Sequence, residues 1–326
     1  MTTPVERAFK ELEVIRVRPL SPQGPDSVES QRRTLEETAA LVAPPADAVF
    51  EPVPALPGLL TTVPESADDR VVLQLHGGGY HIGSTAVQRD LTARIARAAK
   101  AKVYGIDYPL APEHPYPAAV LAARKAYEWL LGQGYAPERI VLTGDSAGGG
   151  LALATLVGLR DLGLPLPGAA VVMSPWVDLT NSGESVEGRA DRDPVISVPG
   201  IRQWAASYLA GADPRDPLAS PLYADLTGLP PLLIQVGTEE VLFDDSTRLY
   251  VKAAREGVDA TLEVAEGMPH VWQIFADFLP EAAAAIENLG RHVLTHVPEG
   301  AVTEGVVPYG ATPQGAVPQG ARPAFA

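Results

Sequence analysis

One serine is marked out by its neighbours. Gly144-Asp145-Ser146-Ala147-Gly148 follows the apolar run 140–143 and leads directly into the helical pattern LALATLVGL. A strand, this pentad and a helix, in that order, form the setting in which a serine hydroxyl becomes a nucleophile. The turn between them leaves no room for side chains two positions either side of the serine, and Gly144 and Gly148 meet that need. Its strained backbone would lift Ser146 toward the crevice at the carboxyl ends of the strands, beside the free amides of a helix N-terminus. The chemistry would be acyl transfer through a covalent intermediate.

Such a nucleophile needs donors for the oxyanion, a base, and an acid to orient the base. His76-Gly77-Gly78-Gly79-Tyr80 follows the apolar run 71–75, where an HGGG-type loop supplies donors. Gly78, Gly79 and Ala147 are the candidate donors. A phosphate cradle is disfavoured, because the loop lacks a Gly-Lys-Ser/Thr ending and no GxGxxG opens a helix here. A metal site on His76 and His81 lacks a third ligand at a recognisable spacing, so His76 reads as a hydrogen-bonding residue of the loop. No metal or cofactor is called for.

With the chain order nucleophile, acid, histidine, the base comes from His270, His292 or His296. His292 and His296 sit at i, i+4 in the last helical pattern, which suits a solvated or helix-end role. His270 lies in the loop Gly267-Met268-Pro269-His270 and is the favoured base. After the run 232–236 four acids compete: Glu239, Glu240, Asp244 and Asp245. A solvated loop and helix start would explain all four, and spacing does not choose among them.

The elements that must position these groups are legible as short apolar runs at 71–75, 103–107, 140–143, 169–173, 232–236 and 260–264. They alternate with helical spacing over 88–101, 117–132, 147–162, 244–256 and 276–296. This is the signature of βαβ units around a mainly parallel sheet, an α/β fold. Segment 184–216 interrupts the rhythm with a polar loop and an amphipathic stretch at 199–210, as a lid or binding element would. Helical patterns begin at Thr3-Pro4-Val5-Glu6, a capping box, and over 29–42, where Leu35, Ala39 and Val42 share a stripe. The proline-rich run 44–57 is expected to interrupt regular structure. The expected division is a core at 46–297, a two-part helical cap from 1–45 and 184–216, and a Gly/Pro-rich tail at 298–326. That tail, with its repeat GATPQGAVPQGA, is expected to be disordered and to have no catalytic role.

Composition bounds the function. Of 326 residues, 46% are hydrophobic and 20% charged, enough to bury one large core. A formal charge of −15 argues against nucleic acid or an anionic membrane as partner. The chain has no cysteine, which removes disulfides, thiolate nucleophiles and Cys-based zinc sites. Glu6, Arg7, Lys10 and Glu11 stand where a secretory signal needs apolar residues, and no stretch of about 18 apolar residues is present. The reading is a soluble cytoplasmic protein without a membrane span, a monomer or homodimer.

At these residues the chain resembles the hormone-sensitive-lipase-like α/β-hydrolases, the bacterial family IV esterases. HGGGY at 76–80, DYPLAPEHPYPAA at 107–119, GDSAGGG at 144–150, SPWVDLT at 174–180 and GMPHVW at 267–272 follow the family's order, over roughly 30–296. The resemblance implies a carboxylesterase acting on short- to medium-chain acyl esters without a cofactor. A lactone or aryl-ester hydrolase would use the same machinery, and a receptor-like binding module of this fold would lack His270. The family's acid pattern falls on Glu240-Val241-Leu242-Phe243-Asp244, implying Glu240 as the acid. Most members carry aspartate there, which leaves Asp244 as runner-up. Pro109 stands where members often carry arginine, so Asp107 and Glu113 must find other partners while holding the oxyanion loop. Asp145 is expected to support the nucleophile without touching the reacting atoms. Tyr80, Trp176, Trp204, Trp272 and Phe275 are candidate pocket walls, with core packing as the competing role.

Overall fold

A computed structural model of the chain describes residues 27–40 and 42–298. The helix expected from Thr3, most of the first cap segment and the tail beyond 298 lie outside the described residues. Eight strands form one sheet: β1 (Val49–Pro52), β2 (Gly58–Thr62), β3 (Ala67–Leu75), β4 (Ala101–Ile106), β5 (Ile140–Asp145), β6 (Ala169–Met173), β7 (Leu232–Gly237) and β8 (Ala260–Ala265). Their spatial order is β1-β2-β4-β3-β5-β6-β7-β8, with β3 to β8 mutually parallel and β1 and β2 antiparallel at one edge. The six apolar runs read from the sequence are the six parallel strands.

Those runs are continuously apolar because both faces are covered. Ile140 and Leu142 of β5 face one core, and Val141 between them faces the other. The first core is closed by α3 (Ala118–Gly132), α4 (Ala147–Asp161) and α7 (Phe243–Arg255), the second by α2 (Arg89–Ala99) and α8 (Pro280–His296). Truncating a central side chain such as Leu142, fully buried, should cost about 2–5 kcal/mol.

Two differences from the sequence reading have simple causes. The proline-rich run 44–57 contains β1, whose residues are mostly exposed. As an edge strand it tolerates Pro52, which has no N–H to give. The polar start of the inserted segment carries a short helix, α5 (Glu184–Gly188), before the amphipathic α6 (Val198–Leu209). Ser197 caps α6 by accepting from the Gly200 amide at 3.3 Å, and Ala210 ends it in the left-handed region at φ 48°. The first described helix, α1 (Val28–Ala39), corresponds to the stripe read over 29–42. No helix among the described residues is long and apolar enough to cross a membrane.

Candidate active site

The loops that follow β3, β5, β7 and β8 converge at the carboxyl ends of the parallel strands. Ser146 sits between β5 and α4 with φ 53° and ψ −123°, a backbone state that costs a non-glycine residue of order 1–3 kcal/mol. Its surroundings hold it there. The Ser146 amide donates to Met173 O at 2.9 Å, and its carbonyl accepts from Trp176 N at 2.9 Å and Gly149 N at 3.0 Å. The elbow closes so tightly that a Cβ on Gly148 would lie 2.0 Å from Leu75 O, and one on Gly144 2.2 Å from Gly148 O.

The loop after β3 packs against this elbow, with His76 O 2.5 Å from where a Cβ on Gly148 would lie. Gly78 and Gly79 take φ 111° and 61°, values open to glycine. The Gly78 carbonyl accepts from the amides of His81 and Ile82 at 3.0 Å each, and His81 Nδ1 donates to Gly79 O at 2.7 Å. With the carbonyls so engaged, the amides of Gly78, Gly79 and Ala147 donate to no backbone carbonyl among the described residues. His76 is buried, donates from Nδ1 to Gly77 O at 2.7 Å and stacks on Tyr108 at 4.2 Å. Burial pulls its imidazole below the ordinary range.

The loop is fixed from three sides. Asp145 Oδ1 accepts from Gln88 Nε2 at 2.7 Å and Gln74 Nε2 at 3.1 Å. Its burial pushes the carboxyl up to about 6 against those donors. Asp107 accepts from the Thr85 amide at 2.7 Å and from its hydroxyl at 3.2 Å. Arg32 of α1 grips Glu113 through two bonds of 2.8 Å and also donates to His81 O at 2.8 Å and Ala111 O at 3.1 Å. Arg32 thus reaches the oxyanion loop from a segment far away in the chain, a partner the sequence did not single out.

His270 Nδ1 lies 2.9 Å from Glu240 Oε2, both side chains buried. Glu240 Oε1 accepts from Ser174 Oγ at 2.8 Å and Gly237 N at 2.6 Å. Ser174 Oγ in turn accepts from Val271 N at 3.1 Å, which ties the histidine loop to the acid. The other three acids of this stretch point elsewhere. Glu239 pairs with Arg192, Asp244 accepts from Ser185 N at 2.9 Å, and Asp245 accepts from the amides of Val177 and Asp178 at 2.9 and 3.0 Å. Burial raises the Glu240 carboxyl above its usual range. Burial lowers His270, but its hydrogen bond and charge pairing with Glu240 outweigh that and raise it overall. His270 Nε2 is buried and has no partner among the described residues.

Ser146, His270, Gly78, Gly79 and Asp145 all line one cavity of about 180 Å³. Trp204 of α6 forms the wall over the glycine loop, where a Cβ on Gly79 would meet its ring carbon at 2.1 Å. Phe275 is a second aromatic wall. Tyr80, Trp176 and Trp272 do not line it and are a correction to the pocket read from the sequence. Tyr80 stacks on Tyr208 at 3.8 Å, Trp176 donates to Asn181 Oδ1 at 3.1 Å, and Trp272 packs in the core beneath α8. Among the remaining walls are aliphatic residues: Leu35 and Ala39 of α1 with Val42 shortly after it, Val195 and Ile196 from the inserted segment, and Ile274. The stripe Leu35, Ala39, Val42 was the visible signal for these; Val195 and Ile196 had none.

Comparison with known proteins agrees with this architecture. An α/β-hydrolase-fold family model matches residues 72–274. The chain is 49% identical over 237 residues to an acetyl-hydrolase of Streptomyces hygroscopicus, covering 73% of this chain and 79% of that protein. It is 37% identical over 226 residues to an esterase of Acinetobacter venetianus, covering 69% and 75%. A crystal structure of an esterase from the bacterial hormone-sensitive lipase family superposes with a TM-score of 0.85 at 45% identity, covering 90% of this chain and 98% of that one.

Proposed function

This chain belongs to the hormone-sensitive-lipase-like esterases of the α/β-hydrolase fold, and from that premise we propose that it is a serine carboxylesterase working through Ser146, His270 and Glu240. The observation that carries the proposal is the state of His270. One ring nitrogen is tied to Glu240 at 2.9 Å, while the other, buried and unpartnered among the described residues, belongs to a residue that shares a cavity with the strained Ser146. A proton held on Nδ1 by the carboxylate leaves Nε2 as the acceptor, which is the tautomer a general base requires.

In this reading His270 Nε2 takes the Ser146 proton as the oxygen attacks the ester carbonyl. The amides of Gly78, Gly79 and Ala147 receive the negative charge on the carbonyl oxygen. The imidazolium then gives its proton to the leaving alcohol, and the acyl group stays on Ser146. Water, deprotonated by the same nitrogen, releases the acid and restores the serine. Glu240 holds the ring orientation and stabilises the imidazolium through both half-reactions.

The cavity's 180 Å³ favours short acyl groups. A dry cavity of about 150 Å³ houses a benzene-sized guest, a size that an acetyl or butanoyl group matches. A p-nitrophenyl ester series from acetate to palmitate tests this on the wild type and on Ser146→Ala. The expected result is highest kcat/KM at the short end and no turnover in the variant. Unchanged turnover in Ser146→Ala, or a preference for palmitate, overturns the reading.

A further inference from the structure

One buried carboxylate beside the site has no part in the steps above. Asp193 lies in the inserted segment between α5 and α6 and is 8% exposed. Its Oδ1 accepts from the amides of Val195 at 2.8 Å and Ile196 at 2.9 Å, two residues that wall the cavity. Its Oδ2 accepts from the amide of Val241 at 2.9 Å, the residue directly after Glu240. One carboxylate therefore holds the substrate wall with one oxygen and the acid's own loop with the other. Bonds from a carboxylate to backbone amides are about twice as strong as neutral ones.

Other contacts join the same two stretches of chain. Ser185 Oγ donates to Val241 O at 2.6 Å and accepts from Asp244 N at 3.0 Å. Arg192 pairs with Glu239, and Arg189 donates to Thr238 O while lying 3.7 Å over the Phe243 ring. Ser185, Arg189 and Arg192 do not line the cavity. Asp193 differs because its partners do. Resting on the esterase reading of Ser146, His270 and Glu240, we propose that Asp193 is a positioning residue that couples the fit of the ester against Val195 and Ile196 to the placement of the Glu240 loop.

The geometry makes asparagine a poor replacement. An amide has one acceptor oxygen where the carboxylate has two, so an asparagine serves either the Val195 and Ile196 amides or the Val241 amide. The group left over faces an NH2 and stays buried without an acceptor. Asp193 also acts at a distance, since it is one of three acids, with Glu240 and Asp145, whose charge favours protonated His270. Replacing it with a neutral side chain moves the pH at which His270 becomes a base downward.

The test uses the full chain and counts active sites by stoichiometric reaction with an organophosphate, so that unfolded molecules do not enter kcat. Wild type, Asp193→Asn, Asp193→Glu, the exposed neighbour Asp191→Asn and the outer ion-pair variant Arg192→Gln are compared on p-nitrophenyl acetate, butyrate and hexanoate across pH. For Asp193→Asn the expected result is a loss of kcat/KM on the favoured ester of about tenfold to a hundredfold, the factor one unmatched buried donor carries. Its chain-length preference flattens and its acid limb moves to lower pH. Asp193→Glu keeps the charge and displaces it, so it keeps the limb and loses the preference; it serves if the asparagine variant does not fold. Asp191→Asn and Arg192→Gln keep both wild-type profiles. Wild-type chain-length ratios and acid limb in a fully titrating Asp193→Asn overturn the inference, as do equal changes in Arg192→Gln. Failure of the esterase reading itself looks different: the wild type would be inactive throughout, or Ser146→Ala as active as it.

Discussion

Replacing Glu240 by glutamine changes one oxygen to an NH2 group, and the surrounding donors decide which one. Glu240 Oε1 receives Gly237 N at 2.6 Å and Ser174 Oγ at 2.8 Å, so the amide oxygen of a glutamine is drawn to that side. The NH2 then faces His270 Nδ1, 2.9 Å from the present Oε2. Nδ1 must accept, the ring proton moves to Nε2, and the nitrogen that should take the serine proton is blocked. Turning the amide over restores the tautomer but strands the buried Gly237 N–H, at about 1–3 kcal/mol, and the imidazolium has still lost its countercharge. Together these predict a kcat loss of about 10²–10⁴, the upper end being what the wrong tautomer costs in a serine triad. Asp244→Asn, whose carboxylate among the described residues accepts from the Ser185 amide and lies at the start of α7, should stay within about threefold of wild type. Steady-state kinetics on p-nitrophenyl acetate, corrected for active-site concentration, decide the matter. A Glu240→Gln enzyme keeping more than a tenth of its kcat, or an Asp244→Asn enzyme slower than it, rules out Glu240 as the orienting acid.

Three further outcomes follow from the same geometry. Gly148→Ala places a methyl 2.0 Å from Leu75 O and 2.5 Å from His76 O, both backbone, so it should destabilise by roughly 3 kcal/mol or more, read as lost soluble yield or a lowered Tm. Arg32→Ala removes one bond to a carbonyl of the oxyanion loop, His81 O, one to Ala111 O of the loop after β4, and a half-exposed ion pair to Glu113; loosening α1 over the cavity should raise KM about tenfold, with a smaller change in kcat. Asp245 is buried beside Asp178, and burial first, then that neighbour, push its carboxyl up to about 8. A carboxyl raised in the folded state stabilises fully below its unfolded value and loses that stabilisation as pH rises toward 8. Asp245→Asn should therefore flatten the fall in Tm between pH 5 and about 8.5 by several degrees, and parallel curves for the two proteins would contradict the assignment.

The parallel strands were legible because they are buried on both faces and so read as unbroken apolar runs, as Ala169–Met173 of β6 does with every residue buried. The β1–β2 edge escaped because β1 is short, exposed and carries Pro52. Ser146 and the glycines around it were legible because a tight elbow constrains residue types locally. The acid was legible only through the resemblance, whose pattern falls on Glu240: Glu239, Glu240, Asp244 and Asp245 lie within one short stretch that spacing does not resolve, and the path of the chain turns Glu240 toward His270. Of the cavity walls, Trp204 and Phe275 were legible as candidates, whereas Val195, Ile196 and Ile274 come from distant segments and are ordinary apolar residues in each. Tyr80 and Trp176 show the converse, aromatic residues beside chemistry-bearing motifs whose rings turn into the core.

In the proposed reaction the Ser146 oxygen carries the acyl group. Rapid mixing with a short p-nitrophenyl ester, acid quenching and peptide mass spectrometry read this directly. The expected result is a burst of one nitrophenolate per active site and an added acyl mass on the peptide containing Ser146. A burst with the acyl group on another residue, or the same burst from Ser146→Ala, would contradict it.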